Sequence, residues 1–219
     1  MKKLFAFVFC IILSLNVAFA EIDIASMTDE ELYDLRQAIN DELGSRLEGS
    51  LALKEGTTIA ELFPDTALAK KVRDAVGAFS TKDVITQEKL DKITQISFTA
   101  GDGLTSLEGI QYLHNLNYLS CFNQKGLIKI PDSIGSLTKL EKLYLELCPI
   151  EQLPDSICDL PLLKLLNLHR TNIVQLPADI GNLSNLKTLD ISNTRISELP
   201  ESIYLLQLSS FNRDGLDLD

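Results

Sequence analysis

The sequence predicts an α/β repeat solenoid, a right-handed horseshoe with a parallel sheet on its concave side and a helical cap at its N-terminal end. Three observations predict it. Leu186, Leu189, Ile191, Thr194, Ile196, Leu199-Pro200, Ile203 and Leu206 recur 23 residues earlier as Leu163, Leu166, Leu168, Thr171, Ile173, Leu176-Pro177, Ile180 and Leu183. A further 23 residues back stand Leu140, Leu143, Leu145, Cys148, Ile150, Leu153-Pro154, Ile157 and Leu160. Inside each unit, Leu-x-x-Leu-x-Leu sends alternate side chains of a short strand to one side, while Ile-x-x-Leu-Pro returns along the other. The third observation is that residues 57–92, ahead of the array, carry helical spacing instead. One coil cannot bury its own apolar face, so coils stack and the first one needs a cover.

Residues 1–20 read as an export signal. Met1-Lys2-Lys3 precedes an apolar run from Leu4 to Leu15, and Ala18-Phe19-Ala20 offers small residues for cleavage before Glu21. The run is short for a bilayer span of roughly 20 residues. Cleavage takes the formal charge from −11 to −13 and leaves 199 residues, none in a stretch of membrane-spanning length. The expected location is secreted, periplasmic or associated with the cell surface.

Residues 21–56 read as an acidic amphipathic helix and a linker. Thr28-Asp29-Glu30-Glu31 is a capping box, in which the hydroxyl and the carboxylate three places on satisfy each other's backbone donors. Leu32, Leu35, Ile39 and Leu43 follow at helical spacing up to about Arg46, and Glu48 to Thr58 reads as a linker with Gly49 and Gly56. The stripe can dock on the cap, pair with a partner helix or form a dimer.

Residues 57–92 read as the cap. Pro64-Asp65 starts a helix, Leu68, Val72 and Val76 share one face, and Gly77 stops it. Thr86 opens a second short helix that carries Leu90 inward.

Five repeats then occupy residues 93–208. The earliest is Ile93, Ile96, Phe98, Leu104, Leu107, Ile110 and Leu113. The second, with Leu116, Leu119, Cys121 and Gln124, contains one extra residue before Leu127, Ile130-Pro131, Ile134 and Leu137. The ninth place, held by Gln124, Cys148, Thr171 and Thr194, turns the chain with a polar side chain on neighbouring backbone, Cys148 most weakly. Proline is tolerated on the return side because no ladder is needed there.

This pattern resembles the leucine-rich repeat family, from which it departs by lacking the usual Asn at the ninth place. Leu62-Phe63-Pro64-Asp65, Ala67-Leu68-Ala69, Val84-Ile85-Thr86-Gln87 and Ser106-Leu107-Glu108-Gly109-Ile110-Gln111-Tyr112-Leu113 resemble the N-terminal cap and first repeat of bacterial internalin-type proteins. The later repeats, with Leu-Pro and a 23-residue period, look more like the Ras-suppressor or plant type. The resemblance implies a curved sheet that binds host or surface proteins.

Residues 209–219 read as a partial capping strand and an acidic tail. Leu208 to Phe211 is expected to add a sixth strand with Phe211 packed inward, Asn212 to Gly215 to break it, and Asp217 and Asp219 to charge the edge.

Composition excludes several functions. A chain with net charge −11 and pI near 4.7 lacks the basic footprint of a nucleic-acid binder. With two His, at 114 and 169, and no nucleophile elbow, phosphate loop or HExxH motif, no catalytic residue, metal ligand or cofactor site is assigned. Gly101-Asp102-Gly103 is a turn without the other ligands of a calcium loop. Cys121, Cys148 and Cys158 have no CxxC spacing and an odd count, so all three are expected to be unpaired, the first two inward and Cys158 on the convex side.

The concave side is where function is expected. Residues alternating with the inward Leu are Gln95, Ser97 and Thr99, then Tyr118, Ser120 and Phe122, then Lys142, Tyr144 and Glu146, then Leu165, Asn167 and His169, and last Thr188, Asp190 and Ser192. The middle coils put Tyr118, Phe122, Tyr144 and Leu165 side by side, flanked by Lys142, Glu146, His169 and Arg170. Aromatic side chains near an Arg are typical of binding hot spots. The expectation is a non-catalytic protein that binds a protein partner on this face. The alternative is a structural or assembly protein of the bacterial envelope without a dedicated receptor.

Overall fold

The computed structural model describes residues 53–216, all within the second of two units, 1–51 and 52–219. The signal reading of residues 1–20, the amphipathic helix of residues 29–46, and Asp217 and Asp219 lie outside the described residues.

The cap holds three helices where the sequence predicts two. Helix α1, Ile59–Leu62, is opened by a capping box: the Glu61 N–H donates to Thr58 Oγ1 at 3.3 Å, and the Thr58 N–H donates to Glu61 Oε2 at 2.7 Å. Thr58-x-x-Glu61 was the signal for it, and the linker reading of 48–58 obscured it. Over its described part that stretch is folded: the Thr57 N–H and hydroxyl close a turn on the Lys54 carbonyl, and Thr58 bridges to Val84. Helix α2, Thr66–Val76, starts and stops as predicted, with Asp65 as N-cap, Gly77 at φ 68°, and Leu68 and Val72 buried. Helix α3, Gln87–Leu90, follows Thr86 and buries Leu90, although Thr86 makes no side-chain cap bond.

Asp65 ties this cap to the first coil. One carboxylate oxygen accepts from the Ala67 and Leu68 N–H groups at 2.8 and 3.0 Å. The other accepts from the Thr105 N–H and hydroxyl and the Ser106 N–H at 2.8, 2.7 and 3.1 Å. Burial opposes charge on this carboxyl, but the bonds from the Thr105 hydroxyl and from the Leu68, Thr105 and Ser106 amides outweigh it and hold its pKa below the ordinary value. Gly109, at φ 92°, presses against the same cap, since a Cβ there would lie 2.0 Å from the Leu62 carbonyl oxygen.

Six parallel strands follow in chain order: β1 Gln95–Phe98, β2 Tyr118–Cys121, β3 Lys142–Tyr144, β4 Leu165–Asn167, β5 Thr188–Asp190 and β6 Ser210–Asn212. Leu119, Leu143, Leu166 and Leu189 stand opposite one another in register and are fully buried, because stacking brings equal repeat places together even though the second repeat is one residue longer. The return side uses short 3-10 turns, three of which begin directly after Pro131, Pro154 and Pro200. Gly135 and Gly181 let the coils close up there: a Cβ on either would lie 2.5 or 2.3 Å from the carbonyl oxygen of Ser156 or Ser202 in the next coil. The corresponding place in the last repeat is Tyr204, which is 81% exposed.

The left-handed turn residue sits one place before the ninth. Asn123, Leu147, Arg170 and Asn193 have φ between 53° and 61°, a conformation Asn tolerates and Leu or Arg adopts at a cost. The ninth place divides into two chemistries. Gln124 and Cys148 reach back one coil, Gln124 Nε2 donating to the Thr99 carbonyl at 2.7 Å and the Cys148 thiol to the Cys121 carbonyl. Thr171 and Thr194 instead donate to carbonyls in their own coil, Leu168 and Ile191, at 2.8 Å. The extra residue of the second repeat is absorbed in a turn at Lys125-Gly126, closed by the Leu127 N–H on the Gln124 carbonyl.

The sixth strand forms, shifted toward the C-terminus of the predicted segment. Phe211 pairs opposite Leu189, and Asn212, expected to break the strand, pairs opposite Asp190. Phe211 remains 36% exposed with Arg213 over its ring, so it is less deeply packed than expected.

Candidate functional site

Strand register arranges the concave side in rows. One row runs Gln95, Tyr118, Lys142, Leu165, Thr188 and Ser210, and the next Ser97, Ser120, Tyr144, Asn167, Asp190 and Asn212. A third row, Phe122, Glu146, His169 and Ser192, lies past the strand ends. There the Asn123, Leu147 and Arg170 N–H groups donate to the carbonyls of Glu146, His169 and Ser192 at 3.0, 2.9 and 3.0 Å.

Within this grid Tyr118 and Tyr144 are diagonal neighbours with ring centroids 5.5 Å apart and planes tilted by 43°. Both are half-buried, and Phe122 beyond them is 37% exposed. Leu165 shares a row with Tyr118, but Lys142 stands between them. Arg170 projects from the left-handed turn beyond the third row and is exposed.

A side-chain network joins the fourth, fifth and sixth strands on this face, and nothing in the local sequence announces it. His169 Nδ1 lies 2.7 Å from Ser192 Oγ, whose hydroxyl donates to Asp190, and Asn212 Nδ2 donates to the other Asp190 oxygen at 3.2 Å. Asp190 and Ser192 are two residues apart, whereas His169 and Asn212 each stand about one repeat away, so only the 23-residue period could have pointed to their meeting. The order of the bonds matters chemically. A serine nucleophile needs its proton taken by the imidazole and a carboxylate behind the imidazole. Here the Ser192 hydroxyl donates to Asp190 rather than to the imidazole.

Glu146 is the electrostatic exception on this face. Its Oε2 is shielded from solvent and has no hydrogen-bond partner. Burial pushes its carboxyl pKa up, a hydrogen bond from its own backbone N–H and nearby His169 pull it back, and Asp190 adds to the rise. Burial, with Tyr118 and Glu146 nearby, likewise raises the Tyr144 phenol. Among the described residues Glu146, Asp190, Lys142 and Arg170 take part in no salt bridge, in contrast to Lys71 with Asp102 at 3.0 Å and Lys164 with Glu141 at 2.9 Å. Among the described residues no group of three or more His, Cys, Asp or Glu is placed to hold a metal ion, and no helix is long and apolar enough to cross a membrane. Cys121, Cys148 and Cys158 are free and buried.

Sheet, return turns and buried repeat places define a leucine-rich repeat solenoid. Its N-terminal cap is internalin-like. Residues 157–210 match a family described as a leucine-rich repeat region, and residues 50–91 match one described as the N-terminal part of bacterial adhesion/invasion proteins. A stretch of 65 residues is 43% identical to Internalin H of Listeria monocytogenes, covering 30% of this chain and 12% of that protein. The chain thus spans only a small part of that relative's length. A leucine-rich repeat protein of Leptospira interrogans shares the fold with TM-score 0.54 and 24% identity, over 60% of this chain and 39% of that one. Internalin C2 of Listeria monocytogenes aligns with TM-score 0.47 and 25% identity, over 68% of this chain and 79% of its own.

Proposed function

We propose that this chain is an exported, non-catalytic leucine-rich repeat protein that binds a protein partner through the concave face of its second to fourth coils. The observation that carries the reading is the Tyr118–Tyr144 pair, held 5.5 Å apart on a rigid sheet beside exposed Phe122. Aromatic side chains fixed by their strands lose little entropy on binding and bury large areas, which is why such clusters dominate interface energetics. Leu165, Lys142, Glu146, His169 and Arg170 form the surround that orients a partner. The Asp190–Ser192–His169 bonding order supports a non-catalytic role, because the Ser192 hydroxyl donates to a carboxylate and not to the imidazole that a Ser-His-Asp arrangement requires. Export is supported by the reading of residues 1–20 and by the similarity of the cap to bacterial adhesion/invasion proteins.

The test compares the wild-type chain with a Tyr118→Ala, Phe122→Ala and Tyr144→Ala triple variant against a partner captured from surface or host extracts. Loss of about 2 kcal/mol or more of binding free energy is expected for a hot-spot cluster. Full retention of affinity by a folded triple variant would place the binding site elsewhere.

A further inference from the structure

Glu146 is hard to account for as part of a self-sufficient fold. Its side chain is half-buried on the concave face, and one carboxylate oxygen, shielded from solvent, has no hydrogen-bond partner. A buried carboxylate oxygen without a partner costs stability, and the residue's own backbone N–H and nearby His169 relieve the charge only in part. His169 has its Nδ1 committed to Ser192, and Asp190, bonded to Ser192 and Asn212, adds like charge. Lys142 is two rows away across the sheet, and neither it nor Arg170 pairs with Glu146 or Asp190. Among the described residues no cation lies over the Tyr144 ring near Glu146 or over its neighbour Tyr118. Where this chain does set cations over rings, they lie elsewhere: Lys71 at 5.5 Å from the Phe98 centroid and Arg213 at 5.9 Å from that of Phe211.

A half-buried carboxylate with an unsatisfied oxygen, near the Tyr144 ring, is the chemistry that receives a cation. We infer that the concave face takes a basic side chain of its partner, an arginine in preference to a lysine, with its charge on Glu146 and its plane against Tyr144, whose ring packs on Tyr118. Arginine fits better because a guanidinium is flat, stacks on rings and bonds a carboxylate through two N–H groups, whereas an ammonium is a compact, strongly hydrated charge. The net charge of −11 favours approach of a basic partner segment over longer range. This inference rests on the concave face being the binding face, and it adds the chemistry that face selects.

The full chain is titrated with N-acetyl-arginine amide and, separately, with its neutral isostere N-acetyl-citrulline amide, and the Tyr118 and Tyr144 ring signals are followed by NMR. The arginine probe is expected to shift both rings saturably, and the citrulline probe to leave them in place. Glu146→Gln is expected to weaken the arginine probe by about tenfold, the scale of one desolvated cation–π or charge contact. The same variant should melt no lower than wild type, since it removes an uncompensated charge. Glu146→Ala serves as the second variant should the Gln form fail to fold. Equal shifts from both probes, an undiminished response in the folded Glu146 variants, or no saturable shift at all would overturn the inference. Its failure is separable from failure of the concave-face reading. A triple tyrosine and phenylalanine variant that loses the protein partner while the arginine probe does nothing leaves that reading standing without this one.

Discussion

Replacing Asp65 by Ala removes two structural roles in one step, the N-cap of α2 and the bond between the cap and the first coil. Five donors are affected: the N–H groups of Ala67, Leu68, Thr105 and Ser106 and the Thr105 hydroxyl, all within 3.1 Å of a carboxylate that is only 8% exposed. Loss of a helix N-cap costs about 1 kcal/mol. Each of the three donors in the first coil, left without its charged acceptor, adds about 1 kcal/mol. The expected total is about 4 kcal/mol, a large part of the stability of an ordinary domain. Asp65→Asn should fall between, at about 2 kcal/mol, because its oxygen can keep the cap while its amide meets the Thr105 and Ser106 donors.

The acid dependence has a defined sign. The folded-state pKa of Asp65 is depressed, so its stabilisation is present above the unfolded-state value of about 3.9 and is lost as pH falls through the lower folded-state value. Urea unfolding of wild type and both variants at neutral pH and through the acid range measures all of this. Hydrogen exchange adds the location: in a stacked array, loss of the cap interface should lower protection first in β1 and β2 and last in β5. A cost below about 1 kcal/mol for Asp65→Ala, or an unchanged acid limb, would refute the reasoning.

Two other perturbations follow from local geometry. Arg170 is exposed at φ 53°, so Arg170→Gly should stabilise the chain by about 1 kcal/mol, read as a raised urea midpoint with unchanged slope. The thiols of Cys148 and Cys158 are both pushed up to about 11, chiefly by burial, and that of Cys121 is pushed well above the ordinary thiol value by the same cause. Alkylation of the native chain near pH 8 should therefore be slow at all three and complete in denaturant, as mass spectrometry would record. Fast modification of any one in the native chain would contradict its burial.

Much of this architecture was legible because a solenoid converts sequence period directly into spatial neighbourhood. Leu143, Leu166 and Leu189 stand side by side because each is the fourth residue of a 23-residue unit, and no information beyond the period is needed to bury them. The concave candidates follow from the same alternation, which is why Tyr118, Lys142, Tyr144 and Leu165 all lie on the strands that the pattern assigns. The helix from Thr66 to Val76 was legible for a different reason, since its start and stop signals, Asp65 and Gly77, are local.

Tertiary structure alone decided what each polar group meets. Asp65 bonds Thr105 across 40 residues of sequence, and no spacing rule links a cap to a turn in the first coil. The left-handed residue moved to the place before the expected turn because backbone N–H groups there extend the ladder to the next coil, a condition visible only once the coils are stacked. Cys148 holds its turn through the Cys121 carbonyl, whereas Thr171 at the same repeat place bonds within its own coil. The isolation of Glu146 belongs to this second kind of fact. Apolar burial depends on which side of a strand a residue occupies, and alternation along one chain determines that. Polar satisfaction depends on distances of about 3 Å to groups contributed by other coils, and those distances exist only after the chain has folded.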